Sequence, residues 1–191
     1  MSSADVLELE AAPPILSDDT LYEIVDGQRV EPPPMGANES ILAFELASAI
    51  NQYAKPRGLG RASTEVLVRL SSQPNLQRRP DAVFVSVARW PTTRKIPRGN
   101  AWDVVPDLIV EVVSPTNLAE EIPTRVRDYF HSGVRRAWII YVHESLVYEY
   151  DSPRSIRVLG REDILDGGEV IPGFRLPLSE LLEGPEEPEP A

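Results

Sequence analysis

Two acidic residues stand where acidic residues are expensive. Asp81 opens the apolar run AVFV, and Glu111 sits inside the apolar run LIVEVVS. An ionised carboxylate among aliphatic side chains is costly to bury unless it is paired or bound to a cation. One reading is that Asp81 caps a strand end and Glu111 meets a single arginine. The other is that both runs are consecutive strands of one sheet. Neighbouring strands lie ~4.8 Å apart, so the two carboxylates converge on one ion. The chain has no cysteine and only His131 and His143 as imidazoles. Neither histidine has a partner at metal-ligand spacing, and neither is assigned a role. Oxygen ligands alone favour Mg²⁺ or Mn²⁺. Such an ion activates water and neutralises charge on a phosphoryl group.

The elements that must place these carboxylates follow from pattern. Leu21–Val25 and Arg29–Glu31 read as a hairpin turned by Asp26-Gly27, because glycine accepts positive φ there. Pro32–Pro34 and Gly36 break the chain. Ile41, Leu42, Leu46, Ala49, Ile50 and Tyr53 recur at helical spacing over 38–54. Asn38 is the expected N-cap, and Pro56 and Gly58 end the helix. A strand is expected at Ser63–Leu70, then a polar turn at Ser71–Asn75. Arg79-Pro80-Asp81 leads into the strand Ala82–Val87. Leu108–Ser114 suits a strand buried on both faces. A helix over 121–132 follows, closed by Gly133. Ala137–Val142 and Leu146–Tyr150 make a hairpin through His143-Glu144. Shorter strands are expected at Ser155–Leu159 and Glu169–Ile171, and a short helix at Leu178–Leu182. The sum is an α/β fold, a mixed sheet flanked by helices.

Between these strands, residues 89–106 show no periodicity. Arg89, Arg94, Lys95 and Arg98 mix there with Trp90 and Trp102. Long loops inside compact domains are often functional. The cations would track phosphates and Trp90 would stack on a base. Alternatively, the loop is solvated or pairs with an acidic tail. Arg135 and Arg136 read as surface charges at a turn.

Length and charge set the outer limits. The 191 residues suit one domain. The net charge is −11, but residues 1–20 carry five acidic and no basic residues, as do residues 180–191. Without those ten charges the middle of the chain stands at −11 + 10 = −1. Residues 1–20 and 184–191 therefore read as solvated acidic tails around a domain at 21–183. No stretch is long and apolar enough to span a membrane, no secretory signal is visible, and a cytoplasmic protein is the expectation.

Four segments, YEIVDGQRV, RPDAVFV, PDLIVEVVSPTN and RVRDYFHSGVRRAWII, resemble in order and spacing the Uma2 family, also called DUF820. That family is described as restriction-endonuclease-like proteins of the PD-(D/E)XK superfamily, and the resemblance spans 21 to about 182. It implies a Mg²⁺- or Mn²⁺-dependent DNA endonuclease, with a homodimer as the usual way of cutting both strands. Pro80-Asp81 matches the PD element and Glu111 the (D/E) position, so Asp81 and Glu111 are the implied metal ligands. Glu23 matches a recurring acidic residue and is a further catalytic candidate.

The chain departs from the pattern at the lysine. Val113 stands two residues after Glu111, and the lysine that the family places on the next helix, four residues before a tyrosine (here Tyr129), is Arg125. Lys55 and Lys95 are the only lysines, and neither is in a motif. Glu39 stands where the family often has a histidine. Arginine stays protonated, so Arg125 can hold a phosphate but is a poor general base. Alternatively, Arg125 forms a structural salt bridge to Glu111. The protein would then be a catalytically impaired nuclease fold that binds nucleic acid or protein.

Overall fold

A computed structural model describes residues 21–32, 34–70, 76–98, 101–113 and 121–182. The expected acidic tails and the turn at Ser71–Asn75 lie outside these residues. Among the described residues, no helix is long and apolar enough to cross a membrane. The strands are β1 (Glu23–Val25), β2 (Gln28–Val30), β3 (Gly60–Thr64), β4 (Val68–Arg69), β5 (Gln77–Arg78), β6 (Ala82–Ser86), β7 (Leu108–Val113), β8 (Arg136–Tyr141), β9 (Leu146–Ser152), β10 (Ser155–Gly160), β11 (Ile164–Asp166) and β12 (Arg175–Pro177). The helices are α1 (Ala37–Ala54) and α2 (Glu121–His131).

Six strands form the main sheet in the order β10-β9-β8-β7-β6-β3. Among the described residues of this sheet, only β7 and β8 pair in parallel, and α2 is the helix between them in the chain. A parallel pair needs such a crossover, because a tight turn cannot return the chain in the same direction. The two faces of β7 feed two cores. Leu108, Val110 and Val112 join α1 residues Leu42, Leu46 and Ile50 on one side. Ile109 and Val113 join α2 residues Ile122, Val126 and Tyr129 on the other. This is why β7 reads as an unbroken apolar run.

A second sheet, β2-β1-β5-β4, shares the α2 side, since Val68 of β4 belongs to that core. The chain passes between the sheets twice. It leaves β3 for β4 through Glu65, and it returns from β5 to β6 through Pro80-Asp81. The N–H of Glu65 donates to the Asp81 carbonyl at 3.1 Å, so the two crossings are tied together.

Several expectations are corrected. The single strand at Ser63–Leu70 is two strands in two sheets, broken at Glu65, which holds φ 51°. A left-handed glutamate is uncommon and carries no sequence signal. The N-cap of α1 is Gly36 and not Asn38. Glu169–Ile171 is a turn, and the hairpin there is β11–β12. The expected helix at Leu178–Leu182 is a three-residue 3-10 turn at Leu178–Glu180. Asp26-Gly27 does form the hairpin turn, with φ of 52° and 78°. Two successive positive φ values match the strand twist.

Arg136 is not a loose surface charge. It holds Asp151 at 2.6 Å, reaches Glu149 at 3.7 Å and donates to the Asp166 carbonyl at 2.8 Å. Glu149 is buried and also accepts from Trp138 Nε1 at 3.2 Å and from Arg157 at 2.6 Å. Burial of that carboxylate is tolerated because each interaction replaces lost hydration.

At the outer edge, β3 is pinned to α1 by Asn51. Its Nδ2 donates to the Ala62 carbonyl and its Oδ1 accepts from the Ala62 N–H, both at 2.9 Å. The side chain serves as a substitute strand neighbour. Asn51→Ala leaves both backbone groups without that partner, and a loss of about 1–3 kcal/mol is expected. Urea unfolding checks it, and an unchanged midpoint contradicts the assignment.

Candidate active site

Asp81 and Glu111 come together at the junction of the two sheets. β6 and β7 run antiparallel with Ala82 opposite Val110 and Val83 opposite Ile109. One further step along that register sets Asp81 opposite Glu111. Strand side chains alternate between faces, and Val83, Ile109 and Val113 all lie in the core on the α2 side. Asp81 and Glu111 therefore share that face. The Val112 N–H, beyond the last β6–β7 pair, donates to Asp81 Oδ2 at 2.5 Å.

Glu111 is 6% exposed. Its Oε1 accepts from Tyr129 Oη and, at 2.9 Å, from Arg125 Nε. Tyr129 and Arg125 are four residues apart on α2, one turn, so both reach the same carboxylate. Arg125 then spans to the small sheet. Its Nη1 and Nη2 each donate to Glu23 of β1 at 2.9 Å, a bidentate fork. The Nε contact to Glu111 is the salt bridge that the sequence left open as one of two roles for Arg125, and the fork to Glu23 is a partner the sequence did not indicate.

Glu23 is 3% exposed and has both oxygens filled. Oε1 also accepts the Arg79 N–H at 2.8 Å, and Oε2 accepts Arg78 Nη1 at 2.9 Å. Four donors leave no lone pair aimed at a shared ion. Among the described residues, no three of His, Cys, Asp and Glu gather to hold a metal. Glu23 is thus a holder of Arg125 in this arrangement.

Arg78 was not singled out from the sequence. It is buried, and its Nη2 donates to Asp128 of α2 at 2.6 Å. A run of Asp128, Arg78, Glu23, Arg125, Glu111 and Tyr129 thus joins β5, β1, β7 and α2. The only hint was an arginine in QRRPD just before the PD element, where charged residues are common.

The other candidates lie elsewhere. Arg89 faces inward. It pairs with buried Asp107 at 2.9 Å and donates to the carbonyls of Val105 at 2.7 Å and Gly133 at 2.8 Å. Trp90 is buried edge-on against Trp102, with ring centres 5.4 Å apart, and cannot stack on a base as expected. The Arg94 guanidinium lies 3.6 Å from the Trp90 ring centre. Arg94, Lys95 and Arg98 are exposed. Glu39 lies in the first turn of α1, beside Gly36.

The electrostatics single out Asp81. Burial, and then the Glu111 charge, push its carboxyl up to about 8, against the Val112 N–H and Arg125. Burial also works to raise Glu23, but Arg125, the Arg79 N–H and Arg78 outweigh it and hold that carboxyl below its ordinary value. Burial works to strip the proton from Arg125, yet Glu111, Tyr129 and Glu23 keep it firmly charged. Burial raises the Tyr129 phenol, so it stays a donor. Counted together, Glu23, Glu111 and Asp128 face Arg78 and Arg125. That leaves one net negative charge, and two once Asp81 ionises. Asp81 and Glu111 are the hard oxygen donors that share this sheet face, the ligand type that Mg²⁺ and Mn²⁺ take.

The mixed sheet and the β7–α2–β8 crossover define a mixed α/β protein. The chain belongs to the Uma2 family, described as "Putative restriction endonuclease", which it matches over residues 4–179. Among solved structures it is similar to one titled as a putative nuclease belonging to DUF820 from Anabaena variabilis. The TM-score is 0.71 at 19% identity, covering 84% of this chain and 88% of that one. At that identity the likeness speaks for the fold alone. No curated protein matches.

The raised Asp81 carboxyl makes a stability prediction. Between about pH 4 and 8 the folded, metal-free protein keeps a proton that the unfolded chain has released. Raising the pH through this window therefore weakens the fold, and above about 8 the whole penalty is present. Asp81→Asn removes it while keeping an acceptor for Val112. In chelator, the variant is expected to melt higher than the natural protein at pH 8, by at least ~3 °C, with the gain vanishing near pH 4. A gain independent of pH contradicts the shift.

Proposed function

We propose that the protein is a metal-dependent endonuclease that hydrolyses phosphodiester bonds of DNA, with Asp81 and Glu111 as the residues that hold Mg²⁺ or Mn²⁺. The observation that carries this reading is the register-opposed carboxylate pair on the α2 face of β6 and β7. A divalent ion supplies charge neutralisation and a more acidic water when bound. The protein's own residues do the rest. Arg125 stands beside Glu111 as a fixed positive charge that would offset charge on a phosphoryl group, and Glu23 and Glu111 fix its place. Arg94, Lys95 and Arg98 are the exposed cations available to more distant phosphates. Arg89 is withdrawn from that set, because its donors are spent inside the fold.

A second reading has its own observation. The Arg125 fork engages Glu23 while its Nε engages Glu111. A cation locked to two carboxylates competes with a metal. This favours a nuclease fold that binds nucleic acid or protein without cutting.

Plasmid nicking separates the two. With Mg²⁺ or Mn²⁺, the natural protein is expected to nick supercoiled DNA and Glu111→Ala to lose at least ~100-fold of that activity. Lysine at position 125 cannot span both carboxylates, so Arg125→Lys is expected to nick at least as well as the natural protein. Inactivity of the natural protein across both metals, with Arg125→Lys active, establishes the impaired reading. Inactivity of all three removes the nuclease assignment.

A further inference from the structure

We propose that the cleft beside Asp81 is a subsite for one unpaired nucleobase carrying an exocyclic amino group, the base next to the reacting phosphate. The proposal rests on the nuclease reading for the reaction, and on the cleft for the ligand. The cleft has a volume of ≈ 360 Å³ and Asp81 forms part of its wall. That is the lower end of the ~300–1,000 Å³ typical of small-ligand sites, suited to a single base with its sugar. A paired duplex is a rigid cylinder and cannot place one base edge in so narrow a space. An unpaired or flipped nucleotide can.

The chemistry of the wall narrows the ligand. Leu21, Pro32, Pro34 and Met35 line it with aliphatic surface, which packs against a base plane. Glu31 and Glu65 add acceptors, and Arg79 is the one cation in the lining. Two glutamates beside Asp81 repel the phosphates of a backbone laid along the cleft. They accept well from N–H groups, as glutamate does from the cytosine amino group. Arg79 is turned aside, since its Nη1 donates to the Glu65 carbonyl.

Glu65 is also held in place. Its φ of 51° is one that non-glycine residues rarely take, and its N–H is bonded to the Asp81 carbonyl at 3.1 Å. The residue next to the carboxylate pair is therefore fixed relative to it by the backbone. Adenine, cytosine and guanine offer an amino group to such an acceptor, and thymine does not.

Binding without metal tests the subsite apart from the reaction. Fluorescein-labelled 12-mers of deoxycytidine and of thymidine are titrated in chelator at pH 8 and followed by anisotropy. The cytidine strand is expected to bind at least about fivefold tighter. The double variant Glu31→Gln and Glu65→Gln is expected to bring that ratio near one, and Met35→Trp to weaken both strands by filling the cleft. Thermal melts of each variant verify folding. Equal or tighter binding of the thymidine strand overturns the proposal, as does a preference that survives the double substitution. A cytidine preference in a protein that never nicks plasmid upholds the subsite and removes only the nuclease reading. Nicking without the preference does the reverse.

Discussion

The molecule's candidate site depends on one carboxylate that is not part of the Asp81–Glu111 pair. Glu23 accepts from Arg125 twice, from Arg78 and from the Arg79 backbone. Those donors come from α2, β5 and the chain leading into β6. The small sheet, α2 and the chain leading into β6 are thereby tied to one buried carboxylate. Asp81 and Glu65, where the chain crosses between the sheets, lie at the same junction. Removing Glu23 would leave two buried guanidiniums facing each other, which is why burying this acid is stable.

Arginine at position 125 makes this arrangement possible. A lysine ammonium is a point charge that satisfies one carboxylate well. A guanidinium presents a flat fork and a separate Nε–H. Here the fork goes to Glu23 and the Nε–H to Glu111. The substitution trades a group that can lose a proton for one that can bridge two strands. Among the described residues, no arginine or lysine forms an ion pair with Asp81. Burial, and then the neighbouring Glu111 charge, therefore raise its carboxyl far above the ordinary range. Whether a divalent ion completes the balance or the site stays closed depends on the competition between that ion and Arg125 for Glu111.

The carboxylate pair and the main sheet were legible because burial writes itself into pattern. Glu111 inside LIVEVV and Asp81 ahead of AVFV are acids that an apolar environment must explain. The β7–α2–β8 unit follows from an apolar run, an amphipathic helix and a second apolar run. The small sheet was illegible for opposite reasons. β4 and β5 have two residues each, and β3 and β4 appear continuous in sequence. The break rests on the backbone of Glu65, a residue type that gives no hint of positive φ. Arg78 and Arg136 resemble solvated cations because their partners are distant in sequence. Arg89 and Trp90 looked like a nucleic-acid surface because clustering in sequence does not show which way a side chain turns. They face inward, toward Asp107 and Trp102.

The central proposal is that Asp81 and Glu111 hold a divalent cation that displaces a proton on binding. Calorimetric titration of the whole protein with Mn²⁺ at pH 7, in buffers of different ionisation enthalpy, reads this directly. A carboxyl with a value of about 8 is mostly protonated at that pH. The account predicts saturable binding with release of about one proton per ion, and loss of that release in Asp81→Asn. Absence of binding, or binding with no proton released, would contradict it.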